Sequence, residues 1–344
     1  VGCNVEFVDY HVGAPVIMEN ADSKNKFVRK VEKGLETFQY QAPFAHKLSF
    51  IRYKQTFSKK YMPLLGITDE MNYNPTLDCL VIGSDEVFNC IQKNSNVGYS
   101  LELFGKDNHA KRLLTYAASF GNTTLEKLKK YKKTEEVGAL LKKFDAISVR
   151  DANSGTIVEQ LTGKEPVYNL DPVLTYDYMN CCDKIPRVQT HEKYLILYAY
   201  AGRISNEEAE WISDYAKKKK LKVYAIGGIQ KCADRFVDCS PFEVLAYFRN
   251  AEEVITDTFH GSIFSVITHR PFTTLIRKSV GNSYGNEEKL SDLLERLELA
   301  NRMTTKIEDT ENINKKAIDY AKVDELLKTH REVAKEYLRK NLEG

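Results

Sequence analysis

Short apolar runs rich in β-branched residues alternate along the chain with longer segments that carry the apolar spacing of a helix. Such alternation is typical of βαβ units, and it predicts parallel sheets covered by helices on both faces. The predicted strands are residues 4–10, 79–82, 113–116, 146–149, 194–198, 223–226, 254–256 and 272–276. The predicted helices are residues 24–38, 45–60, 124–132, 135–143, 153–161, 206–217, 241–249, 262–268 and 323–342. The predicted fold class is therefore α/β.

A polar connector between residues 177 and 192 interrupts this pattern and predicts a boundary between two Rossmann-like domains. We expect an N-terminal domain over residues 1–189 and a C-terminal domain over residues 190–320. A helix over residues 321–344 is expected to pack its apolar face at the domain junction. Residues 4–10 predict a strand of the kind that is usually the second in a βαβ series. We therefore expect the first βα unit to be missing from this sequence.

Composition and charge indicate an ordinary globular protein and argue against some classes of partner. With 42% apolar and 28% charged residues among 344, the chain can bury a sizeable core. A net charge of +2 argues against nucleic acid as the main partner. No apolar run is long enough to span a bilayer and no signal-peptide pattern opens the sequence, so a cytoplasmic location is expected.

The seven cysteines indicate neither a disulfide framework nor a metal site. No C-x-x-C or H-E-x-x-H motif occurs, and an odd number of scattered cysteines is typical of reduced, structural thiols. The adjacent pair Cys181-Cys182 lies in the polar connector, where a redox role is disfavoured. We therefore expect no bound metal.

The most site-like segment is residues 254–266, which read V-I-T-D-T-F-H-G-S-I-F-S-V. The segment predicts a strand, a tight turn from Asp257 to Gly261, and a helix with Ser262 as its N-cap. Such a unit presents backbone N–H groups and the positive end of a helix dipole, which favour an anion. His260 lies in the turn and can titrate near neutral pH. The alternative is that His260 merely caps the turn or forms hydrogen bonds within it.

Three turns in the first half of the chain repeat this design, with small, polar or charged residues directly after a predicted strand. They are Gly83-Ser84-Asp85, Ser119-Phe120-Gly121 and the segment that begins Arg150-Asp151. Ligands of open α/β sheets bind at the carboxyl ends of the strands. Although Ser and Asp are also common helix caps, three such turns predict a cleft between domains in which they face His260.

The motifs at these positions resemble those of the polysaccharide pyruvyl transferase family. They are G-S-D-E-V-F-N at 83–89, A-A-S-F-G at 117–121, S-V-R-D-x-x-S-G at 148–155, D-P-V-L at 171–174, T-D-T-F-H-G-S-I-F-S at 256–265 and A-I-D-Y-A-K-V at 317–323. The motifs occur in the family's order and span nearly the whole chain. Each is modest alone, and together they are fairly specific.

The resemblance implies two domains similar to those of GT-B glycosyltransferases, facing across a cleft that holds the active site. It also implies transfer of a pyruvyl group from phosphoenolpyruvate to two hydroxyls of a sugar, which forms a cyclic ketal. Phosphoenolpyruvate is then a co-substrate, and no cofactor is needed. The acceptor would be a sugar or a lipid-linked oligosaccharide, as in the synthesis of an exopolysaccharide or capsule.

The resemblance also assigns roles to residues of this sequence. His260 matches the histidine of the family's donor site, and Arg150 matches the arginine after its S-V strand, so these two are the predicted catalytic residues. The predicted donor-binding residues are Arg150, His260, Gly261, Ser262 and Arg277. The predicted residues of the cleft and acceptor site are Gly83, Ser84, Asp85, Ser119, Phe120, Gly121, Asp171 and Asp257.

The chemistry of the donor suits both predicted catalytic side chains. Its phosphate and carboxylate are anions that a planar guanidinium binds as a fork, which favours Arg150 at a strand end. Ketal formation can begin with a proton delivered to the enol methylene carbon, a step for which His260 is suited near neutral pH. The alternative role of Arg150 is an ion pair with Asp151 or Asp171.

One position departs from the family pattern. Characterised members tend to carry arginine two residues before the histidine, as R-x-H, whereas this sequence has Thr258. We expect the missing cation to be absent or to come from Arg203, Arg277 or Lys278, which follow other predicted strands. The departure leaves the predicted fold intact and puts the identity of the donor in question.

Two further classes of function remain open. The fold supports glycosyl transfer from a nucleotide sugar equally well, and Gly227-Gly228 after a predicted strand could admit a pyrophosphate. A degenerate member of the family could bind a glycan or an anion without catalysis. The basic runs 127–133 and 217–220 are typical of solvated helix faces. With a lipid-linked acceptor, they would also suit peripheral contact with the anionic inner membrane surface.

Overall fold

The computed structural model describes residues 2–17, 36–73, 75–92, 96–277 and 287–342. The strands are β1 (Cys79–Asp85), β2 (Arg112–Ala118), β3 (Ser148–Val149), β4 (Val167–Tyr168), β5 (Tyr194–Tyr198), β6 (Lys222–Ile226), β7 (Arg235–Phe236), β8 (Glu253–Thr256), β9 (Phe272–Leu275) and β10 (Met303–Thr304). The helices are α1 (Phe44–Tyr61), α2 (Leu125–Lys130), α3 (Thr134–Leu141), α4 (Ala152–Thr162), α5 (Pro172–Thr175), α6 (Tyr178–Cys181), α7 (Asn206–Lys219), α8 (Pro241–Asn250), α9 (Phe259–Ile267), α10 (Glu287–Arg296), α11 (Thr310–Lys315) and α12 (Tyr320–Leu342). Within these ranges, no helix combines the length and the apolar character needed to cross a membrane.

The chain forms two compact units, each assembled from segments that are distant in sequence. The first unit comprises Val1–Asp22, Gly66–Tyr176 and Glu325–Gly344, and the second comprises Ser23–Leu65 and Asp177–Asp324. Helix α1 therefore belongs to the second unit, and most of α12 belongs to the first. The contiguous division predicted from the sequence, with boundaries after residues 189 and 320, differs from this one in the placement of α1, of residues 177–189 and of the C-terminal segment.

The first unit is built on a parallel sheet. Among the described residues its strand order is β1-β2-β3-β4, and each neighbouring pair is parallel. Strand β2 lies inside the order and is buried along almost its whole length, which explains why its sequence is nearly all apolar rather than alternating. The rings of Phe88, Phe104, Phe120 and Phe144 form one aromatic cluster in the core of this unit.

The second unit is built on a longer parallel sheet, in which the described strands follow the order β7-β6-β5-β8-β9-β10. When these strands are numbered 1 to 6 along the chain from β5, their order in the sheet is 3-2-1-4-5-6, which is the order of a Rossmann sheet. The order reverses between β5 and β8, which pair directly with each other. Both strands are buried, and Leu195, Leu197 and Ile255 lie in the core of this unit. Ligands of such sheets bind at the carboxyl ends of the two strands where the order reverses.

Both units consist of parallel strands that alternate with helices, so the predicted α/β class is confirmed. The strand predicted at residues 4–10 is wrong, because the segment forms only an isolated bridge, from Asp9 to Tyr73, within the described residues. Val5 and Phe7 are exposed, so their apolar side chains do not mark a buried strand. Strands β4, β7 and β10 are missing from the prediction, because elements of two residues show no periodicity. The predicted helix at 24–38 lies largely outside the described residues.

The C-terminal helix α12 packs on the sheet of the first unit. Ala334 and Tyr337 are buried against Tyr116 and Ala117 of β2. The Tyr337 hydroxyl donates a buried hydrogen bond to the carbonyl oxygen of Thr115, at 2.8 Å. Contact with β2 therefore explains the C-terminal part of the apolar face seen in the sequence of this helix, Ala334, Tyr337 and Leu338.

We expect Tyr337→Phe to lower the free energy of unfolding by about 1 kcal/mol, because the buried Thr115 carbonyl loses its donor. Urea denaturation followed by circular dichroism measures the effect. Tyr73→Phe is the matched control within the same unit, because the Tyr73 ring is exposed. We expect the control to change the free energy by less than about 0.5 kcal/mol. Equal effects of the two variants would contradict the packing of α12 on β2.

Candidate functional site

His260 is the second residue of α9 and lies just beyond the carboxyl end of β8. Its side chain is half-buried, and its ring centroid lies 5.7 Å from that of Phe259 and 6.0 Å from that of Phe264. Strand β8 is one of the two strands between which the sheet order reverses. His260 therefore lies at the sheet edge where Rossmann folds bind ligands, in the first turn of a helix that favours anions.

The N-cap of α9 is Thr258. This residue is extended, and its Oγ1 accepts a hydrogen bond from the N–H of Gly261 at 2.9 Å. The predicted N-cap, Ser262, is wrong, because Ser262 lies within the helix and is fully buried. Its hydroxyl donates to the Thr258 carbonyl at 3.1 Å and lies 2.9 Å from the hydroxyl of Thr274. Both Thr and Ser are N-cap types, so residue type alone does not decide between two positions one helical turn apart.

Gly261 fills a position at which no larger residue fits. A Cβ there would lie 2.1 Å from Oγ1 of Thr256 and 2.8 Å from Oγ1 of Thr258. Thr256 Oγ1 accepts from the N–H of Thr258 at 3.1 Å and donates to the carbonyl of Tyr198, the last residue of β5, at 2.7 Å. The connection from β8 to α9 is thereby tied to the end of β5. The donor-binding roles of Gly261 and Ser262 stay predictions.

Asp257 is fully buried at the end of β8. Arg203 follows β5, and its Nη1 lies 3.8 Å from Oδ2 of Asp257. Burial raises the pKa of Asp257 above its ordinary value of 3.8, against the opposing effect of the Arg203 and Arg277 guanidinium groups. Charged groups from the ends of both strands thus converge where the sheet order reverses.

Arg277 follows β9 and forms a two-point ion pair with Glu208, with N–O distances of 2.6 and 3.1 Å. Glu208 also accepts from the N–H of Ser205 at 2.9 Å and completes the capping box of α7. Since this carboxylate neutralises the guanidinium, a donor would have to share Arg277 with Glu208. Sequence reasoning missed Glu208, although the spacing S-x-x-E was a signal for it. Lys278 lies outside the described residues.

Arg150 lies directly after β3 in the first unit and is almost fully buried. Its Nη1 donates to Asp171 at 3.2 Å, and its Nη2 donates to Asp85 at 3.1 Å. Asp171 is also the N-cap of α5 and accepts from the hydroxyl of Ser84 at 3.4 Å. The alternative role of Arg150, an ion pair with Asp171, is therefore confirmed. Its catalytic and donor-binding roles stay predictions.

The segment Gly83-Ser84-Asp85 belongs to β1, whereas the sequence placed it in a turn after a shorter strand. A Cβ on Gly83 would lie 2.1 Å from the carbonyl oxygen of Tyr116 on the neighbouring strand, so the glycine permits close pairing of β1 with β2. The strand continues because Asp85 still pairs with Ala118 of β2.

The turn after β2 is held by hydrogen bonds within the first unit. Ser119 Oγ donates to Asp151 at 2.6 Å and accepts from the N–H of Gly121 at 3.0 Å. Asp151 is the N-cap of α4 and accepts from the N–H of Ser154 at 2.8 Å. The ring of Phe120 lies in the aromatic cluster. Ser119 and Phe120 therefore have structural roles here, and their predicted contact with an acceptor stays a prediction.

The glycine pair after β6 is accounted for by packing. A Cβ on Gly228 would lie 2.4 Å from the backbone nitrogen of Ala201 and 2.5 Å from the carbonyl oxygen of Ala199. Gly227 has a φ of +83°, which other residues rarely adopt. Close approach to the loop after β5 thus requires Gly228, and the positive φ requires Gly227, without a pyrophosphate.

The structure brings the predicted site residues together in two sets. In the first unit Ser84, Asp85, Arg150 and Asp171 form one network of hydrogen bonds and ion pairs. In the second unit Asp257, His260, Gly261 and Ser262 lie at the start of α9, with Arg277 near Asp257. The pocket shared by Arg150 and His260 stays a prediction. Nowhere in the described ranges do three His, Cys, Asp or Glu side chains lie close enough to share a metal ion.

Asp257→Asn tests the effect of burial on this carboxyl group. Because its pKa is raised on folding, the stability that Asp257 contributes is full below its ordinary pKa and is lost as the pH rises through the raised value. We therefore expect the variant to gain stability relative to the wild type as the pH rises from the ordinary pKa of 3.8 towards neutral. Thermal unfolding across this range measures the difference. Asp214→Asn, at an exposed position in the same unit, is the control. A difference that is constant or shrinks with rising pH would contradict the raised pKa.

Several solved structures resemble this chain distantly. The S. aureus MnaA-UDP co-structure has 11% identity and a TM-score of 0.44, and the match covers 85% of this chain and 79% of that chain. An alpha,alpha-trehalose-phosphate synthase (UDP-forming) from Burkholderia xenovorans has 11% identity and a TM-score of 0.43, with 92% and 85% covered. The UDP-GlcNAc 2-epimerase of Methanocaldococcus jannaschii has 12% identity and a TM-score of 0.41, with 74% and 85% covered. These likenesses are too distant to bear on function.

Sequence comparison gives a more specific result. No curated protein matches the chain. The sequence model of a family described as polysaccharide pyruvyl transferase matches residues 21–279, which is more than half of the 344 residues. The match agrees with the motifs at the strand ends, and the resemblance noted from them is confirmed. The chain belongs to the polysaccharide pyruvyl transferase family.

Proposed function

We propose that this protein transfers a pyruvyl group from phosphoenolpyruvate to a sugar of a polysaccharide precursor and forms a cyclic pyruvate ketal. Membership of the family supports a transferase that acts on polysaccharides. The observation that carries the more specific proposal is the position of His260 in the first turn of α9, where the sheet order reverses. Arg203 and Asp257 lie at the ends of the same two strands. The proposed reaction needs an acid–base group and a cation, and these residues place both near the carboxyl ends of β5 and β8.

The donor carries a phosphate and a carboxylate, which favour guanidinium groups and helix N-termini. Arg203 is suited to bind it, because its side chain is partly exposed and its contact with Asp257 is long, at 3.8 Å. Arg277 is less suited, because Glu208 already engages it at two points. Thr258, at the position of the family's arginine, begins α9 as its cap. Arg203 thus supplies the cation that this position lacks.

The reaction needs one proton at its start. His260 gives this proton to C3 of phosphoenolpyruvate, which becomes a methyl group, and C2 becomes an oxocarbenium-like centre. A sugar hydroxyl attacks C2 and loses its proton. The bond from C2 to the phosphate oxygen then breaks, and the phosphate leaves with the electron pair. A second hydroxyl closes the ring at C2. Of the two protons lost by the hydroxyls, one restores His260 and the other leaves with the phosphate.

The acceptor in this proposal is a sugar or a lipid-linked oligosaccharide, and the protein acts in the cytoplasm without a further cofactor. The main competing activity is glycosyl transfer from a nucleotide sugar. Isothermal titration of the protein with phosphoenolpyruvate and, separately, with UDP-glucose distinguishes the two. Binding of phosphoenolpyruvate alone supports the proposal, and binding of UDP-glucose alone overturns it.

We expect His260→Ala to lower the rate of phosphate release about 10²–10⁴-fold, the range that positioned acid–base groups contribute. Glutamine can donate a hydrogen bond but cannot deliver a proton at neutral pH, so His260→Gln should be nearly as inactive. Both variants should retain much of their affinity for phosphoenolpyruvate. Phosphate release is measured with phosphoenolpyruvate and a panel of nitrophenyl and lipid-linked glycosides.

The matched control for this experiment is His269→Gln, because His269 lies just after the same helix and is partly exposed. Its pairing with Asp324 is at the surface, so its loss should leave activity unchanged. Near-normal activity of His260→Gln would reject His260 as the acid. Asp257 would then be the next proton donor to test.

We expect Arg203→Ala to weaken the binding of phosphoenolpyruvate roughly 10–100-fold, because a charge-assisted hydrogen bond to the donor is lost. Arg203→Lys should recover only part of the affinity, since a point charge replaces a fork. Arg277→Ala is the comparison variant, and we expect a smaller loss because Glu208 already engages that guanidinium. Calorimetry gives the affinities, and circular dichroism verifies folding. The opposite ranking of the two arginines would assign the donor cation to Arg277.

A further inference from the structure

Helix α1 and the 3₁₀ turn Met62–Leu65 that follows it form a basic surface without acidic residues. Residues 41–66 contain the five cations Lys47, Arg52, Lys54, Lys59 and Lys60, and they contain no Asp or Glu. The chain as a whole carries a net charge of only +2, so this segment concentrates positive charge well beyond the average. We call residues 44–65 the α1 surface.

One face of α1 is packed on the second unit. The ring of Phe50 is buried and meets the ring of Phe236 on β7 edge-on, at 5.4 Å between centroids. Tyr53 lies on the same face and contacts Phe236 at 6.0 Å. At about 100° per residue, Phe44 and Leu48 fall on the opposite side of the helix. The inner face therefore anchors α1, and its outer face points away from the core of the second unit.

The outer face of α1 and the turn after it expose large apolar side chains. Phe44 is 66% exposed and Leu48 49%, while Leu64 and Leu65 are 79% and 59% exposed. Phe38, also partly exposed, lies with its ring 6.3 Å from that of Phe44. Large apolar side chains exposed to this degree at both ends of one helix are a feature of interaction sites.

The cations flank this apolar stripe. By helical position, Lys47 and Lys54 lie on one side of Phe44 and Leu48, and Arg52 and Lys59 lie on the other. An apolar stripe between two rows of cations matches the interface of an anionic bilayer, where apolar side chains enter the acyl boundary and cations meet lipid phosphates. A second copy of this chain is a poor partner, because a two-fold interface would place these cations against one another.

The two lysine runs noted in the sequence are less suited to a membrane surface. Lys217, Lys218 and Lys219 each form an ion pair, with Asp214 at 3.3 Å, Glu311 at 2.9 Å and Glu253 at 2.9 Å. Lys133 pairs with Glu136 at 2.8 Å. These carboxylates cancel most of the positive charge of the run 217–220 and that of Lys133 in the run 127–133, whereas residues 44–65 themselves contain no carboxylate.

We propose that the α1 surface docks the protein on an anionic lipid bilayer, with Phe44, Leu48, Leu64 and Leu65 entering the interface. The binding itself depends only on the chemistry of this surface. Its use, holding the transferase beside a lipid-linked acceptor, rests on the proposed function. The docking and the proposed function can therefore each be rejected without the other in the same set of measurements.

Sedimentation with vesicles tests the docking. We expect the wild-type protein to bind vesicles of phosphatidylcholine with about 30% phosphatidylglycerol, and to bind vesicles of phosphatidylcholine alone at least about tenfold more weakly. Raising the salt concentration should weaken binding, because screening reduces the attraction. No binding, or equal binding to both vesicles, would overturn the proposal.

Two double variants separate the apolar from the electrostatic contribution. Leu64→Ser with Leu65→Ser and, separately, Arg52→Glu with Lys59→Glu should each lower the affinity for anionic vesicles about tenfold or more. Lys129→Glu with Lys130→Glu in α2 is the matched control, since these lysines are equally exposed and basic. An equal loss in the control would show that net charge alone drives binding and would overturn the assignment to α1.

Two further measurements complete the test. Light scattering should give the same mass for the wild type and for Leu64→Ser with Leu65→Ser, and a dimer that this variant dissociates would show that the α1 surface binds a second copy instead.

With a water-soluble glycoside as acceptor, the variant Leu64→Ser with Leu65→Ser should release phosphate at the wild-type rate. Loss of activity in every form of the protein would reject the proposed reaction while leaving the vesicle result to decide the docking.

Discussion

Parallel pairing is the constraint on which the rest of the structure depends. Every pair of named strands in the described part of the chain is parallel. Between two paired strands the chain must therefore cross over and return to the end of the sheet at which the strands begin. The carboxyl ends of the strands of a sheet consequently gather at one edge. Helices begin at that edge, and their first N–H groups need acceptors. Asp151, Asp171 and Thr258 are the caps that meet this need. Capping and ligand binding therefore draw on the same polar residues.

Polar residues that cap a helix or form a buried ion pair have a structural role, and they can be distinguished from those suited to chemistry. Thr258 uses its hydroxyl oxygen on the N–H of Gly261, and Asp151 uses one carboxylate oxygen on the N–H of Ser154. Arg150 is buried and paired with the equally buried Asp171, an arrangement in which removal of either partner is costly. His260 and Arg203 lie at strand ends, keep partial exposure and do not cap a helix. The second unit thus presents an imidazole and a guanidinium at the place where its strand order reverses.

The sequence predicts the buried strands of four or more residues well. An apolar run of that length bounded by polar segments is compatible with few other elements. Strand β5 matches the predicted residues 194–198. The prediction fails where an element is too short for periodicity, as in β4, or where two residues of cap type lie one turn apart, as Thr258 and Ser262 do. Motifs identify Arg150 and His260 as candidates, but partners distant in sequence leave no local signal. Asp85 is 65 positions from Arg150, and Glu208 is 69 positions from Arg277. Only the fold brings such residues together, so the role of each charge could not be read from spacing.

Two side chains with acid–base chemistry, Asp257 and His260, lie at the end of β8 and differ in burial. Asp257 is fully buried and His260 is half-buried, so His260 is the more accessible of the two to a substrate. In the proposed reaction Asp257 would instead act through Arg203, whose Nη1 lies 3.8 Å from Oδ2 of Asp257. A bound phosphate would compete with the carboxylate for that guanidinium, and a protonated Asp257 would compete less. Burial raises the pKa of Asp257 and favours its protonated form. In the proposed reaction, the same burial that is costly for the charged carboxylate would therefore favour the binding of an anionic donor to Arg203.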